Sequence, residues 1–317
     1  MSATVIHVEN LTRRFGDNIA VNDLSFEVKA GEVFGFLGHN GAGKTTTVRL
    51  LNGVLEAHSG SMRVLDLDPL HDGPSLRART GVLTESASVE NRLTARDNLL
   101  IYADLFGVPR EKIPARVSEL LDFFGLSEHA EEKVEGFSTG MRQRLALART
   151  LLHDPEVLFL DEPTAGLDPI AANQVNELIA NLSAEKGRTV FLCTHNLVEA
   201  QKLCDRVVVM EHGKLAAIGT PLDLMQQYVR RLDVDIEVAP DQLDIALDAL
   251  SSASSLTRGL SRQVNGKLTQ TVTGRDAIPS LVNLLVQKGI HVYHIAAHQP
   301  SLEDVYFALH REKEALQ

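Results

Sequence analysis

A glycine-rich segment near the start of the chain contains the residue types that bind nucleotide phosphates. It runs from Gly38 to Thr45 as Gly-His-Asn-Gly-Ala-Gly-Lys-Thr, after a predicted strand, Val33–Leu37, and before a predicted helix. Glycines let successive backbone N–H groups turn inward around an anion, and the helix N-terminus adds positive potential. We expect Lys44 to bridge the β- and γ-phosphate oxygens and the Thr45 hydroxyl to bind Mg²⁺. The flanking strand and helix favour this interpretation over an accidental glycine-rich turn.

Two carboxylates, Asp161 and Glu162, follow the apolar segment Val157–Leu160. In an open α/β sheet, ligands bind beyond the carboxyl ends of the strands, which is where this pair is expected. Asp161 is predicted to bind the metal, and Glu162 is predicted to polarise the attacking water. Considered alone, the pair could equally be a solvated strand end. The phosphate-binding loop upstream favours the catalytic role.

A short segment, Phe137–Met141, precedes the acidic strand and is followed by the sequence Arg-Gln-Arg. Together with the two motifs above, it resembles the signature of the ATP-binding cassette (ABC) family. The resemblance implies that Ser138 and Gly140 reach the γ-phosphate held by the phosphate loop of a second copy of the chain. This is physically reasonable because the first N–H groups of the predicted helix Thr139–His153 attract an anion. The alternative is a plain serine cap for that helix.

Two further motifs match the same family in order along the chain. Ala165–Asp168 resembles the family's loop between the two nucleotide sites, and Asp168 can also cap the helix that follows. His195 comes after the predicted strand Thr189–Cys193. The resemblance makes His195 the residue that touches the γ-phosphate and orients Glu162, and the alternative is a surface or structural histidine.

The resemblance also assigns an aromatic residue to adenine. Phe15 matches the family's stacking residue, although an aromatic residue beside a strand can simply belong to the core. The complete set of ATP-binding residues that the resemblance implies is Phe15, Gly38, Asn40, Gly41, Ala42, Gly43, Lys44, Thr45, Thr46, Ser138 and Gly140.

One predicted metal ligand departs from the commonest pattern of the family. Most members have a glutamine that contacts the metal and faces the membrane partner, whereas the segment Gly81–Glu85 offers Glu85. A carboxylate can also bind Mg²⁺. Glu85 is therefore predicted to be a metal ligand together with Thr45 and Asp161.

The signature is altered as well, and its changes resemble one branch of the family. Thr139 replaces its second glycine, and Met141 replaces its terminal glutamine. These changes, with Gly81–Glu85 and Leu93–Leu99, look most like the ATPase subunits of drug-efflux, sodium-efflux and related ABC-2-type exporters. Ser301–Tyr306 resembles the ending of those same subunits.

Short apolar runs alternate with helical patterns up to about Gly219. Nearly continuous apolar runs predict parallel strands covered by helices, and two N-terminal segments predict a small antiparallel layer. We predict an α/β P-loop ATPase domain over residues 1–220, with a helical subdomain at about 84–153; the resemblance makes its parallel core RecA-like. The strands are predicted at Thr4–Val8, Val21–Val28, Val33–Leu37, Val157–Leu160, Thr189–Cys193 and Val207–Met210, and the helices at Thr94–Phe106, Arg116–Phe124 and Thr139–His153.

A second domain is predicted over residues 221–317, where Thr220 and Pro221 form a helix start. Its elements follow the order βαββαβ, which is the ferredoxin-like motif of an α+β domain. A capping-box pattern at Ser301–Asp304 then begins a final helix that extends to Leu316. The predicted elements are Leu232–Ala239, Asp241–Leu250, a hairpin of Leu256–Ser261 and Lys267–Thr273 around Asn265-Gly266, Ile278–Gln287, and His291–Ala296.

Composition and charge limit the classes of function. A net charge of −11 argues against a protein that coats nucleic-acid phosphates, so no nucleic-acid partner is expected. Hydrophobic residues at 44% and charged residues at 23% are typical of a folded, soluble protein. The apolar runs are shorter than the roughly 20 residues of a membrane-spanning helix, and a secretory signal is not expected. Cys193 and Cys204 are expected to be reduced core thiols.

The resemblance adds a cellular role to the predicted ATPase. One phosphate loop and one signature per chain imply two chains, with a homodimer as the simplest arrangement. The family places such a subunit on the cytoplasmic face of the cell membrane, where it drives a separate permease, and Glu85–Asn98 is the predicted docking region. The alternative is a soluble ABC ATPase that remodels ribosomes or nucleic acid. A regulatory ATPase with a ligand-sensing C-terminal domain is a third candidate.

Overall fold

Strands and helices alternate through most of the chain. The computed structural model describes residues 3–84, 88–184, 187–229, 232–253, 262–264 and 267–314. Contacts between residues divide the chain into two units, Met1–Pro221 and Leu222–Gln317. In the first unit the strands are β1 (Thr4–Phe15), β2 (Asn18–Lys29), β3 (Val33–Leu37), β4 (Ser59–Val64), β5 (Thr80–Leu83), β6 (Val157–Asp161), β7 (Thr189–Thr194), β8 (Arg206–Glu211) and β9 (Lys214–Gly219). The helices are α1 (Lys44–Leu51), α2 (Gly73–Arg77), α3 (Ala95–Leu105), α4 (Ile113–Phe123), α5 (Thr139–Thr150), α6 (Pro169–Ala184) and α7 (Leu197–Leu203).

The larger sheet of the first unit has the strand order β5-β6-β7-β3-β8-β9. The five neighbouring strands β5, β6, β7, β3 and β8 are parallel. The last strand, β9, pairs with β8 in the antiparallel direction. Every residue of β3, β6 and β7 is buried, as is typical of parallel strands with both faces covered. The predicted α/β class with a parallel core is confirmed.

A smaller antiparallel sheet has the order β2-β1-β4. Phe26 of β2 links the two sheets, because its ring stacks on Phe34 at 5.6 Å between centroids and lies 6.0 Å from Phe191. The predicted antiparallel layer is therefore present, with longer first strands than expected. Its third strand, β4, was not predicted because Val64 is the one fully buried side chain among its described residues.

The helices α3, α4 and α5 follow one another between β5 and β6, where the sequence predicts a helical subdomain. Thr94 caps α3 as expected, since its side chain accepts a hydrogen bond from Asp97 N at 3.0 Å. Gly125, just past α4, has a φ of 62°, the left-handed conformation that ends helices. No helix among the described residues is long and apolar enough to span a membrane.

Beyond α8 (Pro221–Tyr228), the second unit has its own sheet and core. The elements are β10 (Leu232–Val238), α9 (Leu243–Ser252), β11 (Arg262–Val264), β12 (Lys267–Val272), α10 (Ala277–Gln287), β13 (Val292–Ala297) and α11 (Leu302–Glu314). The sheet order β11-β12-β10-β13, antiparallel throughout, confirms the predicted ferredoxin-like arrangement. The turn predicted at Asn265-Gly266 and the strand predicted at Leu256–Ser261 lie outside the described residues.

Alternation along β10 builds the core of the second unit. Val234, Ile236 and Val238 are buried, while the residues between them are partly exposed. At the other end of the unit, the predicted capping box is formed: Asp304 N donates to Ser301 Oγ at 3.2 Å, and Ser301 N donates to Asp304 Oδ2 at 2.9 Å.

The two cysteines belong to the first unit. Cys193 and Cys204 are free and buried, and burial raises the pKa of both thiols. Both are therefore protonated and unreactive at neutral pH, as the sequence predicts.

Candidate nucleotide-binding site

The glycine-rich loop connects β3 to α1, as predicted. Gly43 occupies the N-cap of α1 with a φ of 110°, a conformation that favours glycine. A Cβ atom on Gly38 would lie 2.7 Å from the backbone oxygen of Met210, and one on Gly43 would collide with the backbone oxygen of Ala20. Both positions therefore require glycine because the backbone of another strand lies against the loop.

Lys44 is the first residue of α1, and its side chain turns back over the loop. Although it is charged, the residue is only 6% exposed. Its Nζ donates a hydrogen bond to Gly38 O at 2.7 Å and lies 3.3 Å from Glu162 Oε1. The ammonium group is thus held against the glycine-rich loop, where it can form a charge-assisted hydrogen bond with an anion.

Thr45 and Asp161 bring two oxygen atoms together. The Thr45 hydroxyl donates to Asp161 Oδ2 at 2.8 Å, although the residues are far apart in sequence. Mg²⁺ usually binds through one or two protein oxygens, water and substrate phosphates, and this pair fits that pattern. Among the residues that the structure describes, no cluster of three or more His, Cys, Asp or Glu side chains could hold a metal. Glu85, the remaining predicted ligand, lies outside the described residues.

Glu162 comes directly after β6 and is almost fully buried. Its Oε2 accepts a hydrogen bond from the Thr194 hydroxyl at 3.2 Å. The Nδ1 atom of His195 lies 2.9 Å from Oε1, on the same side as Lys44. The carboxylate is thus located between the ammonium group of Lys44 and the exposed imidazole of His195.

A cleft of about 520 Å³ collects most of the predicted ATP-binding residues. Phe15 is half-exposed at its edge, and the Arg13 guanidinium carbon lies 4.8 Å from the centre of its ring. Gly38 and Ala42, two predicted loop residues that do not line the cleft, are buried. The cleft is lined by Phe15, Asn18, Ala20, His39, Asn40, Gly41, Gly43, Lys44, Thr45, Thr46, Asp161, Glu162, Ala165 and His195.

Ser138 and Gly140 do not line this cleft. Ser138 is the N-cap of α5, and its Oγ accepts a hydrogen bond from Met141 N at 3.2 Å. A Cβ atom on Gly140 would lie 3.0 Å from the Cβ of Ala171 in α6. The predicted signature residues are therefore outside the cleft that holds the predicted phosphate-binding residues of their own chain.

Two hydrogen bonds near the cleft involve residues that sequence reasoning did not assign. Thr194 holds Glu162, and Thr164 donates to Glu199 Oε2 at 2.7 Å. A polar residue at the end of a buried strand, next to His195, was the available signal for Thr194. By contrast, the predicted structural role of Asp168 is confirmed, because its Oδ1 accepts hydrogen bonds from the first N–H groups of α6 at 3.0 Å.

Comparisons with known sequences agree with this arrangement. The family model described as ABC transporter matches residues 21–165. Over 309 residues, the chain is 37% identical to Nod factor export ATP-binding protein I of Burkholderia orbicola (strain AU 1054), and the match covers 98% of each chain. Over 318 residues it is 33% identical to YhcH of Bacillus subtilis (strain 168), an uncharacterized ABC transporter ATP-binding protein, with 99% of each chain covered.

Solved structures have the same fold. The ATP-binding subunit of one ABC transporter is 28% identical, with a TM-score of 0.64 over 71% of this chain and 94% of that chain. A second similar structure, cbiO1 from Clostridium perfringens, belongs to the ABC transporter complex cbiONQ; it is 26% identical, with a TM-score of 0.66 over 80% of this chain and 99% of that chain. The chain described here belongs to the ABC transporter family, as an ATP-binding subunit that hydrolyses ATP.

Proposed function

We propose that this chain is the ATPase subunit of an ABC-2-type exporter, which drives a separate membrane permease by closing and reopening with a second copy of itself. The observation that carries the proposal is the cleft in which Lys44, Thr45, Asp161, Glu162 and His195 converge. The export role is supported by the Nod factor export relative, because the match extends over 98% of both chains.

Hydrolysis in such a cleft depends on positioning and electrostatics. When phosphates enter the loop, Lys44 Nζ turns from Gly38 O and the Glu162 carboxylate to the phosphate oxygens. The carboxylate can then accept a hydrogen bond from the attacking water. Thr45 and Asp161 are the residues to hold Mg²⁺, which neutralises phosphate charge when bound. Glu162 then polarises the water, and His195 orients the carboxylate from the exposed side.

The second copy supplies Ser138 and Gly140. In this proposal, the N-terminus of its α5 faces the γ-phosphate, so that ATP is enclosed between two chains. Because each ATP then contacts both chains, ATP favours the closed dimer and hydrolysis favours the open one. The homodimer is therefore a two-state device driven by ATP, and it does work on a partner that binds the two states differently.

The proposed partner is an amphipathic cytoplasmic helix of the permease, and α3 offers a surface for it. Ile101, Leu105 and Phe106 are exposed apolar residues at the end of α3. Ile101 and Leu105 are four residues apart and share one face of the helix. This surface, which we call the α3 patch, adjoins the predicted docking region Glu85–Asn98, of which residues 85–87 lie outside the described part of the chain. Association with the permease would place the chain at the cytoplasmic membrane surface.

Co-purification from the native cell tests the proposal. Tagged Glu162→Gln protein, held with ATP and Mg²⁺ and extracted in mild detergent, should bring down a polytopic membrane protein in near-equal amount. Lys44→Ala, which is expected not to bind ATP, should bring down less of it. Ribosomal or DNA-associated partners, with the protein absent from membranes, would support the soluble remodelling ATPase instead.

A matched pair of surface variants tests the docking surface. Leu105→Asp places a charge in the α3 patch and should abolish recovery of the membrane protein without changing ATP hydrolysis by the isolated chain. Val54→Asp changes an apolar residue of similar exposure (65%, against 73% for Leu105) outside that patch. It should leave recovery intact. Equal recovery of the membrane protein with Leu105→Asp and Val54→Asp would show that the α3 patch is not the docking surface.

A further inference from the structure

A hydroxyl group fixes the orientation of Glu162. Thr194, the last residue of β7, is buried, and its Oγ1 lies 3.2 Å from Glu162 Oε2 and 3.0 Å from the backbone N of Asn196. The N–H of Asn196 can only donate a hydrogen bond, and an ionised carboxylate can only accept one. The hydroxyl proton of Thr194 therefore points at Oε2.

The hydrogen bonds continue from Asn196 back to the loop that follows Glu162. Asn196 Oδ1 accepts a hydrogen bond from Glu199 N at 3.2 Å and so caps α7. Glu199 Oε2 accepts one from the Thr164 hydroxyl at 2.7 Å, and Thr164 is in the turn just after Glu162. Glu162, Thr164, Thr194, Asn196 and Glu199 thus form a closed circuit of hydrogen bonds and backbone, which we call the Glu162 ring.

The backbone of Glu162 is in a conformation that needs support. Its φ is 50°, in the left-handed region that residues other than glycine rarely adopt. Its N donates to Cys193 O at 2.9 Å, and its O accepts from Ala165 N at 3.1 Å. Such conformations persist when the surrounding structure fixes them, and they are concentrated at functional sites. The ring adds side-chain support to these backbone hydrogen bonds.

The two carboxylate oxygens of Glu162 are consequently different. Oε2 is bonded to Thr194, whereas Oε1 is buried and accepts no hydrogen bond from the described residues. Lys44 Nζ and His195 Nδ1 lie 3.3 and 2.9 Å from Oε1 without hydrogen-bond alignment. Oε1 therefore has lone pairs outside any hydrogen bond, and in the proposed function it becomes available to water when Lys44 turns to the phosphates.

We propose that the Glu162 ring positions this carboxylate for ATP hydrolysis, with Oε1 facing the attacking water, and that Thr194, Thr164 and Glu199 are positioning residues. The inference rests on the proposed role of Glu162. None of the three positioning residues lines the ATP cleft. Their effect is therefore on the hydrolytic step and not on nucleotide binding.

Steady-state hydrolysis and ATP titration of the full-length chain separate these two effects. Thr194→Val keeps the shape of the side chain and removes the hydroxyl, so kcat should fall about 100-fold through misplacement of the carboxylate, with the Kd for ATP unchanged. Thr194→Ser restores the hydroxyl and should recover most of the lost kcat. Thr164→Val breaks the ring outside the strand, and kcat should fall about tenfold, in the same direction.

Thr189→Val is the matched control on the same strand. Thr189 is also buried, but its hydroxyl accepts a hydrogen bond from Gly31 N at 3.0 Å at the far end of β7. The variant should keep the kcat of the unmodified chain even if its melting temperature falls. An equal loss of kcat in Thr189→Val and Thr194→Val, or no rescue by Thr194→Ser, would overturn the inference.

A double variant distinguishes failure of this inference from failure of the proposed function. If Thr194 acts through Glu162, adding Thr194→Val to Glu162→Gln should cause no further loss of hydrolysis. A Glu162→Gln chain that hydrolyses ATP normally would contradict the proposed role of Glu162 itself. A Glu162→Gln chain that is inactive, beside fully active Thr194→Val and Thr164→Val chains, would contradict the ring alone.

Discussion

The proposed ATP site has a phosphate-loop half, with Lys44, Thr45, Asp161 and Glu162, and a signature half, with Ser138 and Gly140. The two halves differ in the contacts that their residues make within one chain. In the phosphate-loop half, Lys44 contacts Glu162, and Thr45 is hydrogen-bonded to Asp161, so the start of α1 and the end of β6 already converge. In the signature half, Ser138 caps its own helix and lies outside the cleft. The difference teaches that a single chain already assembles the phosphate-loop half, whereas in the proposed dimer its signature half serves the site of the other chain.

The largest expected effect is on the phosphate-loop half alone. Lys44→Ala removes charge-assisted hydrogen bonds to phosphate, each contributing about 1.5–3 kcal/mol, so ATP affinity should fall about 1,000-fold. Titration of the full-length chain with ATP measures this. Lys202→Ala, in the neighbouring groove and outside the cleft, should retain the original affinity. Normal binding by Lys44→Ala would show that the loop is not the phosphate site.

The next largest effect is expected in the signature half, where a substitution should slow ATP hydrolysis without weakening ATP binding. In the proposed dimer, Ser138→Ala removes a hydroxyl donor to the γ-phosphate of the partner's site, so hydrolysis should fall about 100-fold with ATP affinity nearly unchanged. The same variant loses a helix cap, which costs about 1 kcal/mol of stability. Thr94→Ala removes the corresponding cap of α3 and should cost similar stability without loss of hydrolysis. Equal rates of hydrolysis by Ser138→Ala and Thr94→Ala would show that Ser138 acts only as a helix cap.

Mixing chains sharpens the same distinction. A Lys44→Ala chain paired with a Ser138→Ala chain forms one doubly defective site and one site with both halves intact. Hydrolysis by the mixture should therefore exceed that of either variant alone. Activity of the mixture that never exceeds the better single variant would count against sites shared between chains.

A smaller effect is expected on the Mg²⁺ dependence of hydrolysis, at the proposed metal ligands Thr45 and Asp161. Thr45→Val should raise the Mg²⁺ concentration needed for half-maximal hydrolysis by about tenfold or more, because the hydroxyl beside Asp161 is lost. Thr47→Val, on the same helix, is the control, since the Thr47 hydroxyl donates to Gly43 O at 3.0 Å. Its Mg²⁺ dependence should be normal. The same Mg²⁺ dependence in both variants would exclude Thr45 as a ligand.

The smallest effect is expected at the edge of the cleft. One face of Phe15 is covered by Arg13, and stacking of adenine on the other contributes about 1 kcal/mol, so Phe15→Ala should weaken ATP binding about fivefold. Phe106→Ala changes a phenylalanine of similar exposure, 41% against 46%, away from the cleft. In a competition experiment, inorganic triphosphate, which lacks the adenine base, should bind to the Phe15→Ala chain and to the unmodified chain equally well.

Much of the fold was predictable where local pattern and burial agree. β3 has the predicted bounds because every residue of Val33–Leu37 is apolar or glycine and every one is buried. β4 was missed, since its polar residues pair with β1 at distant positions and give no local signal. The capping box at Ser301 was predictable because it acts within a single turn of helix.

The site was predictable residue by residue but not as a set of contacts. Local motifs predicted that Lys44, Asp161 and Glu162 belong to one site, and the structure brings the three residues to one cleft. The hydrogen bonds from Thr45 to Asp161 and from Thr164 to Glu199 depend on how strands β3, β6 and β7 are placed side by side. That placement is a property of the sheet and has no signature in a local segment.

The close contacts of the phosphate loop link it to two sheets. Besides the backbone that lies against Gly38 and Gly43, the turn after β8 donates from Gly213 N to Ala42 O at 3.1 Å and accepts from Asn22 N of β2 at 2.8 Å. The loop therefore cannot open by local fraying alone, since opening separates it from strands of both layers. Bound phosphate should slow amide hydrogen exchange in β2 and around Gly213, at positions that no phosphate touches.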